Sequence, residues 1–388
     1  MHNFILYEYD VKNKGEFVKA INNSQGLKFM SLLLDNKSIK AEFESMPSKG
    51  FIFDITPFFR DEEQAHRFSL VIENLVNLFE ENWSLYFIVD KRYSYIVKDL
   101  LFYKISSVKR FESELGIPIA PSNNIVQVSE NRFKDILQAV NEKLIGHSIF
   151  KERIALELRK YRVFNQIGYM PIFSMLICGD SGIGKTEVAR ILHQELSPEE
   201  PFIKINFGNY SDHNALSSLI GSPRGYVGSN KGELSDKLNN SKSTIILIDE
   251  FEKCDKQVQN FFLQLLEDGV FTDSLGRDYD LNRYIIVFTA NLKRESIPNI
   301  IPPELLSRFN LKYNFSSLKN EEKKLYVKHR TNQIIKDLKN KEYNVDQDRI
   351  YSEIGKIDVT LFSNMRDINN EIMKHISDTI YEDVVDLS

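Results

Sequence analysis

Cysteine is nearly missing from this chain: Cys178 and Cys254 are the two in 388 residues. Two thiols cannot build a disulfide framework, and their separation fits no zinc site, so both are expected as small buried residues in a reducing compartment. A basic excess is missing as well. Fifty Lys and Arg face 55 Asp and Glu, a formal charge of −5. That balance disfavours sequence-blind binding of nucleic acid, which draws its affinity from neutralised phosphates. No apolar run approaches a membrane span; the longest, such as "YIIVF" and "TIILI", are strand-sized. The first residues, "MHNFILYEYDVK", carry acids where a secretory signal needs bases. A cytoplasmic protein with no membrane partner is the expectation. No H-E-x-x-H occurs, so no zinc peptidase is expected within the chain. Internal sequence repeats and low-complexity tracts are missing too.

What is present is 42% hydrophobic content, enough for a large core and two or three domains. The clearest seam is "GIPIAPSNN", residues 116–124, where Pro118 and Pro121 interrupt any helix. Residues 1–115 read as a mixed α/β domain, with strands in "NFILYEYDV" and "SLYFIVD" and a helix in "DEEQAHRFSLVIENLVNLFEEN". Residues 116–128 form a linker. Two helices follow over 129–165, the first with Ser129 as its N-cap. From Phe173 the pattern alternates: "FSMLICG", "PFIKINF", "STIILIDE", "RYIIVFTAN" and "LKYNF" read as strands between helices. That is an α/β fold with a mostly parallel sheet covered on both faces. The large domain spans 129–316. From 317 to 388 the chain turns helical and polar, a small lid domain.

"GDSGIGKT" fits the P-loop pattern G-x-x-x-x-G-K-[ST], following the strand "SMLIC" and opening the helix "TEVARILHQEL". Gly179, Asp180, Ser181, Gly182, Ile183 and Gly184 would wrap backbone N–H groups around the phosphates of ATP, helped by the helix N-terminus. Lys185 would reach the β- and γ-phosphates, and Thr186 would ligate Mg²⁺. In "TIILIDE" a buried strand ends in Asp249, positioned to hold Mg²⁺ through its waters, and Glu250, free to polarise the attacking water.

These stretches and several others resemble the AAA+ ATPases, and within them the Clp-type protein unfoldases and disaggregases, over residues 130–385. "LIGSPRGYVG" is similar to the Clp loop that grips substrate, which implies a substrate-binding role for Tyr226 and Val227. "LIDEFEKCD" resembles the Clp Walker B strand and the helix after it. "LQLLEDGVFTDSLGRDYDLNRYIIVFTANL" ends where the family carries its sensor-1 asparagine, here Asn291. "IPPELLSRFNLKYNFSSL" resembles the arginine-finger stretch, here Arg308, and "NMRDINNEI" the sensor-2 helix, here Arg366. Ile145, in "LIGH", joins the nucleotide contacts. The resemblance implies a P-loop parallel sheet with a helical lid, a homo-hexamer, and a protein substrate threaded through its pore. Asn291 would orient water beside Glu250, Arg308 would serve a neighbour's γ-phosphate, and Arg366 would touch the nucleotide from the lid.

Two departures stand out. Asn364 and Met365 replace the Gly-Ala that precedes the sensor-2 arginine. Between Asn291 and Arg308 the chain lacks the Ile-Gly-Leu/Phe loop of the peptidase-docking members, so a separate peptidase partner is not expected. Residues 1–115 resemble no N-domain of the family, and a role in selecting substrate or partner rests on position alone. The expected function is ATP-driven unfolding or remodelling of proteins. The alternative is a nucleotide-dependent switch or scaffold that does not thread.

Overall fold

The computed structural model describes residues 4–9, 14–22, 27–29, 50–59, 65–72, 84–111, 124–210, 215–222, 232–341, 343 and 346–385. Tyr226 and Val227, and the seam over 116–123, lie outside the described residues. The chain divides into two compact units, Met1–Pro121 and Ser122–Ser388.

The first unit is built on β1 (Phe4–Tyr9), β2 (Leu27–Phe29), β3 (Gly50–Asp54), β4 (Ser84–Asp90) and β5 (Ile105–Arg110). Its described helices are α1 (Lys14–Asn22), α2 (65–72) and α3 (Ser94–Leu101). The strands pair in the order β2-β3-β4-β1-β5, parallel throughout. Alternation sorts the side chains: Phe51, Phe53, Phe87 and Val89 pack on one face with Ile72 and Val97, and Tyr7, Tyr9, Ile52 and Ile88 on the other with Ile21. At the carboxyl edge Lys14, the first residue of α1, donates to Asp54 Oδ2 at 2.8 Å, and Tyr9 donates to the same carboxylate at 3.0 Å.

The second unit opens with α4 (Glu130–Lys143) and α5 (Ser148–Gln166). Ser129 caps α4 by accepting the Arg132 N–H at 3.2 Å. Strands β6 (Phe173–Cys178), β7 (Ile203–Asn206), β8 (Ile245–Asp249), β11 (Ile285–Ala290) and β12 (Leu311–Asn314) form a parallel sheet ordered β7-β8-β11-β6-β12. All six residues of β6 and of β11 are buried, which is why both read as unbroken apolar runs. Met175, Ile177, Leu247 and Val287 face α4, α5 and α6 (Lys185–Leu196). Leu176, Ile248, Ile286 and Phe288 face α7 (Ala215–Ile220), α8 (Glu233–Asn240) and α9 (Lys256–Asp268). A hairpin of β9 (Val270–Thr272) and β10 (Asp278–Asp280) precedes β11, and two short helices, α10 (Ile297–Ile300) and α11 (Pro303–Arg308), precede β12. The C-terminal part packs α12 (Asn320–Asn340), α13 (Gln347–Ile354) and α14 (Met365–Val385) around Ile335, Ile350, Ile368 and Ile372.

Numbered within each unit, the two sheets share one strand order, 2-3-4-1-5, and both are parallel. No sequence repeat announces it.

Candidate nucleotide site

The site lies at the carboxyl edge of the second sheet. The turn between β6 and α6 reverses the chain through three left-handed glycines, Gly179 (φ 129°), Gly182 (φ 75°) and Gly184 (φ 97°). A side chain at Gly179 would put its Cβ 2.5 Å from the Phe315 carbonyl oxygen. Glycine is needed there for space as well as for conformation. The loop is held from behind. Phe315 donates its N–H to Cys178 O at 2.9 Å, and its ring stacks on His147 with centroids 3.7 Å apart. His147, itself left-handed at φ 54°, donates from Nε2 to the Ile183 carbonyl at 3.1 Å. Burial lowers the affinity of the His147 ring for a proton, against the pull of that carbonyl and of Glu322.

Lys185 is 7% exposed, and its ammonium is already ordered. It donates to Gly179 O at 2.7 Å, Asp180 O at 2.6 Å and Asn291 Oδ1 at 2.9 Å. Burial pushes its pKa down, opposed by Glu252 and Asp249. Asn291 sits just past β11 and donates in turn to Glu252 Oε1 at 3.0 Å.

Asp249 ends β8 with both oxygens engaged. Thr289 on β11 donates to Oδ1 at 2.5 Å, and Lys204 on β7 pairs with Oδ2 at 2.8 Å. Burial works to raise the carboxyl, but the bonds from Lys204 and Thr289 outweigh it and hold it below the ordinary range. Glu250 follows in a left-handed conformation, φ 57°, rare for a residue with a side chain. Lys253 donates to its Oε2 at 2.6 Å. Gly208, after β7, leaves it room: a Cβ there would meet Glu250 Oε2 at 2.2 Å.

From the lid, Met365 donates its N–H to the Gly182 carbonyl at 2.9 Å, so α14 begins directly on the P-loop. Asn364 explains the first departure from the family pattern. Its Oδ1 accepts the Asp367 N–H at 3.0 Å and its Nδ2 donates to Asp367 Oδ2 at 2.8 Å, a reciprocal cap on α14.

A cavity of about 480 Å³ opens among these groups. Ile145, Ser181, Gly182, Ile183, Gly184, Lys185, Thr186, Asp249, Glu250, Asn291 and Arg366 all line it. Gly179 and Asp180 lie beneath it as acceptors for Lys185. Arg308, at the end of α11, is not among the lining residues and pairs instead with Glu267 Oε1 at 2.9 Å. Sequence reasoning missed Lys253, which pairs with Glu250, and Lys204, Tyr326 and Arg330, which help to line the cavity. The donors present fit Mg²⁺ and ATP: a cradle of three left-handed glycines, a hydroxyl and a carboxylate for a hard cation, and a volume in the roughly 300–1,000 Å³ range of cofactor sites.

Comparison with known proteins agrees with this geometry. A family model, "AAA domain (Cdc48 subfamily)", matches residues 170–340. Over 234 residues the chain is 30% identical to the "ATP-dependent Clp protease ATP-binding subunit ClpE" of Bacillus subtilis, covering 54% of this chain and 33% of that protein. It is 29% identical over 301 residues to the "Chaperone protein ClpB" of Oceanobacillus iheyensis, and 28% over 301 residues to the "Negative regulator of genetic competence ClpC/MecB" of Bacillus subtilis; each match covers 70% of this chain and 37% of the relative. The chain thus spans about a third of the length of these relatives. The family match falls on the part of the second unit that carries the parallel sheet and the P-loop, so residues 170–340 are similar to an AAA domain. Over the matched stretches the chain is similar to these Clp proteins. No described helix is long and apolar enough to cross a membrane.

Proposed function

We propose that the protein hydrolyses ATP and couples the cycle to unfolding or remodelling of protein substrates, threaded through the pore of a homo-hexamer in the cytoplasm. The convergence of Lys185, Thr186, Asp249, Glu250, Asn291 and Arg366 on one cavity supports this reading most directly. Lys185 trades its backbone acceptors for the β- and γ-phosphates. Thr186 and Asp249 hold Mg²⁺, which offsets charge on the phosphate oxygens when bound. Glu250, turned inward by its left-handed backbone and steadied by Lys253, takes the proton of the attacking water, and Asn291 orients that water. Arg308, turned away from its own cavity, serves the γ-phosphate of the next subunit. An arginine supplied in this way contributes roughly 10³–10⁵ in rate. Tyr226 and Val227 grip the substrate chain.

A substrate trap tests the reading. Glu250→Gln assembled in ATP should retain a protein client through purification. The double variant Glu250→Gln, Tyr226→Ala should assemble and retain none. Equal retention by both variants would remove threading, and a switch that assembles on nucleotide would replace it.

A further inference from the structure

Lys204 has no part in the chemistry just described, yet its ammonium lies on the oxygen of Asp249 left open by Thr289. The contact is 2.8 Å, and the Lys204 side chain is about a third exposed, on the cavity wall. Its origin is the strand register. Asn206 on β7 stands opposite Asp249 on β8, and Lys204 stands opposite Leu247. Lys204 and Asn206 therefore share one face of β7, while Ile203 and Ile205 are buried on the other. From one pleat back, the lysine reaches diagonally up to the carboxylate. Asp249 is thus a half-buried acid with Thr289 on one oxygen and a cation on the other.

We infer that Lys204 is a place-holding cation: it neutralises Asp249 while the site holds no metal, and it yields Oδ2 to the hydration shell of Mg²⁺ when Mg·ATP enters. This deepens the ATPase reading and rests on it. Without a place-holder, a bare carboxylate would face the tetra-anionic nucleotide whenever metal is absent. With one, the empty site is electrostatically quiet, and metal binding becomes the exchange of a single charge for a double one. A lysine suits this work better than an arginine, because its compact ammonium sits on a flexible four-carbon stem and can swing aside.

The test measures the affinity of the intact protein for a fluorescent ATP analogue twice, in EDTA and in saturating Mg²⁺. The ratio of the two affinities is the metal's contribution. Lys204→Met should weaken metal-free binding and raise that ratio at least about fivefold, the factor one charge pair contributes in near-aqueous surroundings. Lys204→Arg, which keeps the charge but yields less readily, should keep metal-free binding near that of the parent and lower the ratio. In an Asp249→Asn background, Lys204→Met should no longer change it. If Lys204 merely ties β7 to β8, Lys204→Met will lower the melting temperature and weaken both affinities alike, and an unchanged ratio overturns the inference. A parent protein that binds the analogue in neither buffer would instead overturn the nucleotide site itself, and the place-holder with it.

Discussion

Gly179→Ala separates two costs that the P-loop imposes at once. The first is conformational: φ 129° is a region that residues with side chains avoid, and occupying it costs roughly 1–3 kcal/mol. The second is steric. The new Cβ would lie 2.5 Å from the Phe315 carbonyl oxygen and 2.8 Å from Ile183 Cδ1. Ile183 can turn, but Phe315 cannot easily retreat. Its N–H is bonded to Cys178 O at 2.9 Å and its ring is stacked on His147 at 3.7 Å. Overpacking of this kind adds roughly 1–3 kcal/mol, so the total is about 2–6 kcal/mol. Gly276 supplies the control. It has φ 76° in the turn of the β9–β10 hairpin, with nothing within 4 Å of an added Cβ, so Gly276→Ala should cost only about 1 kcal/mol. The assay is urea denaturation followed by hydrogen exchange on peptides from β6 and β12, with ATP affinity measured alongside. Gly179→Ala should lower stability roughly two- to sixfold more than Gly276→Ala and should abolish measurable ATP binding. Equal losses at the two sites, or ATP affinity within about twofold of the parent, would refute the argument that Phe315 backs the loop.

Two further outcomes follow from the same geometry. Arg308→Ala should lose hydrolysis but bind ATP, and mixing it with Lys185→Ala in exchanging subunits should restore some turnover; mixtures that stay inactive would refute a finger acting in trans. On acidification, His147 stays neutral in the native state below its ordinary value of 6.5, because burial, aided by Lys151, outweighs the opposing Ile183 carbonyl and Glu322. The unfolded chain therefore takes up the proton first, so this part of the stability is complete above about pH 6.5 and drains away as pH falls below it. His147→Gln, which can still donate to the Ile183 carbonyl, should flatten the loss in melting temperature between about pH 6.5 and 5, and an unchanged slope would count against the assignment.

The sequence made the second sheet easy to read. Strands such as Phe173–Cys178 and Ile285–Ala290 are buried on both faces and leave unbroken apolar runs, and the P-loop carries its own spacing. The first unit was harder. β5 is "ISSVKR", an edge strand exposed along most of its length, and β2 has three residues; neither has a periodicity to detect. The β9–β10 hairpin is short for the same reason. Within the site, residues that act through chemical type were legible, including Lys185, Thr186 and Asp249. Those that act through approach were not. Lys204 reaches Asp249 only because of how β7 registers on β8, Gly208 matters because Glu250 lies across it, and the left-handed turn at Glu250 has no signature in "LIDEFEK". Asn364 looked like a lost glycine until its bonds to Asp367 made it a cap.

The shared strand order has a consequence for how the chain is made. In each sheet the first strand to leave the ribosome ends up in the interior, between the fourth and the fifth. β6 emerges at Phe173, but its two neighbours begin only at Ile285 and Leu311. Until then its six-residue apolar backbone has two open edges, the condition under which strands capture the wrong partner. A second nascent sheet of the same order would be the most compatible wrong partner available. Synthesis order removes that hazard. The last strand of the first sheet is complete at Arg110, so β1 can have both its edges closed before β6 exists. Moving the second unit ahead of the first by circular permutation would preserve every native contact within each sheet, yet would have β6 waiting open while nothing upstream was finished. The yield of soluble protein, rather than its final stability, is where that rearrangement should show.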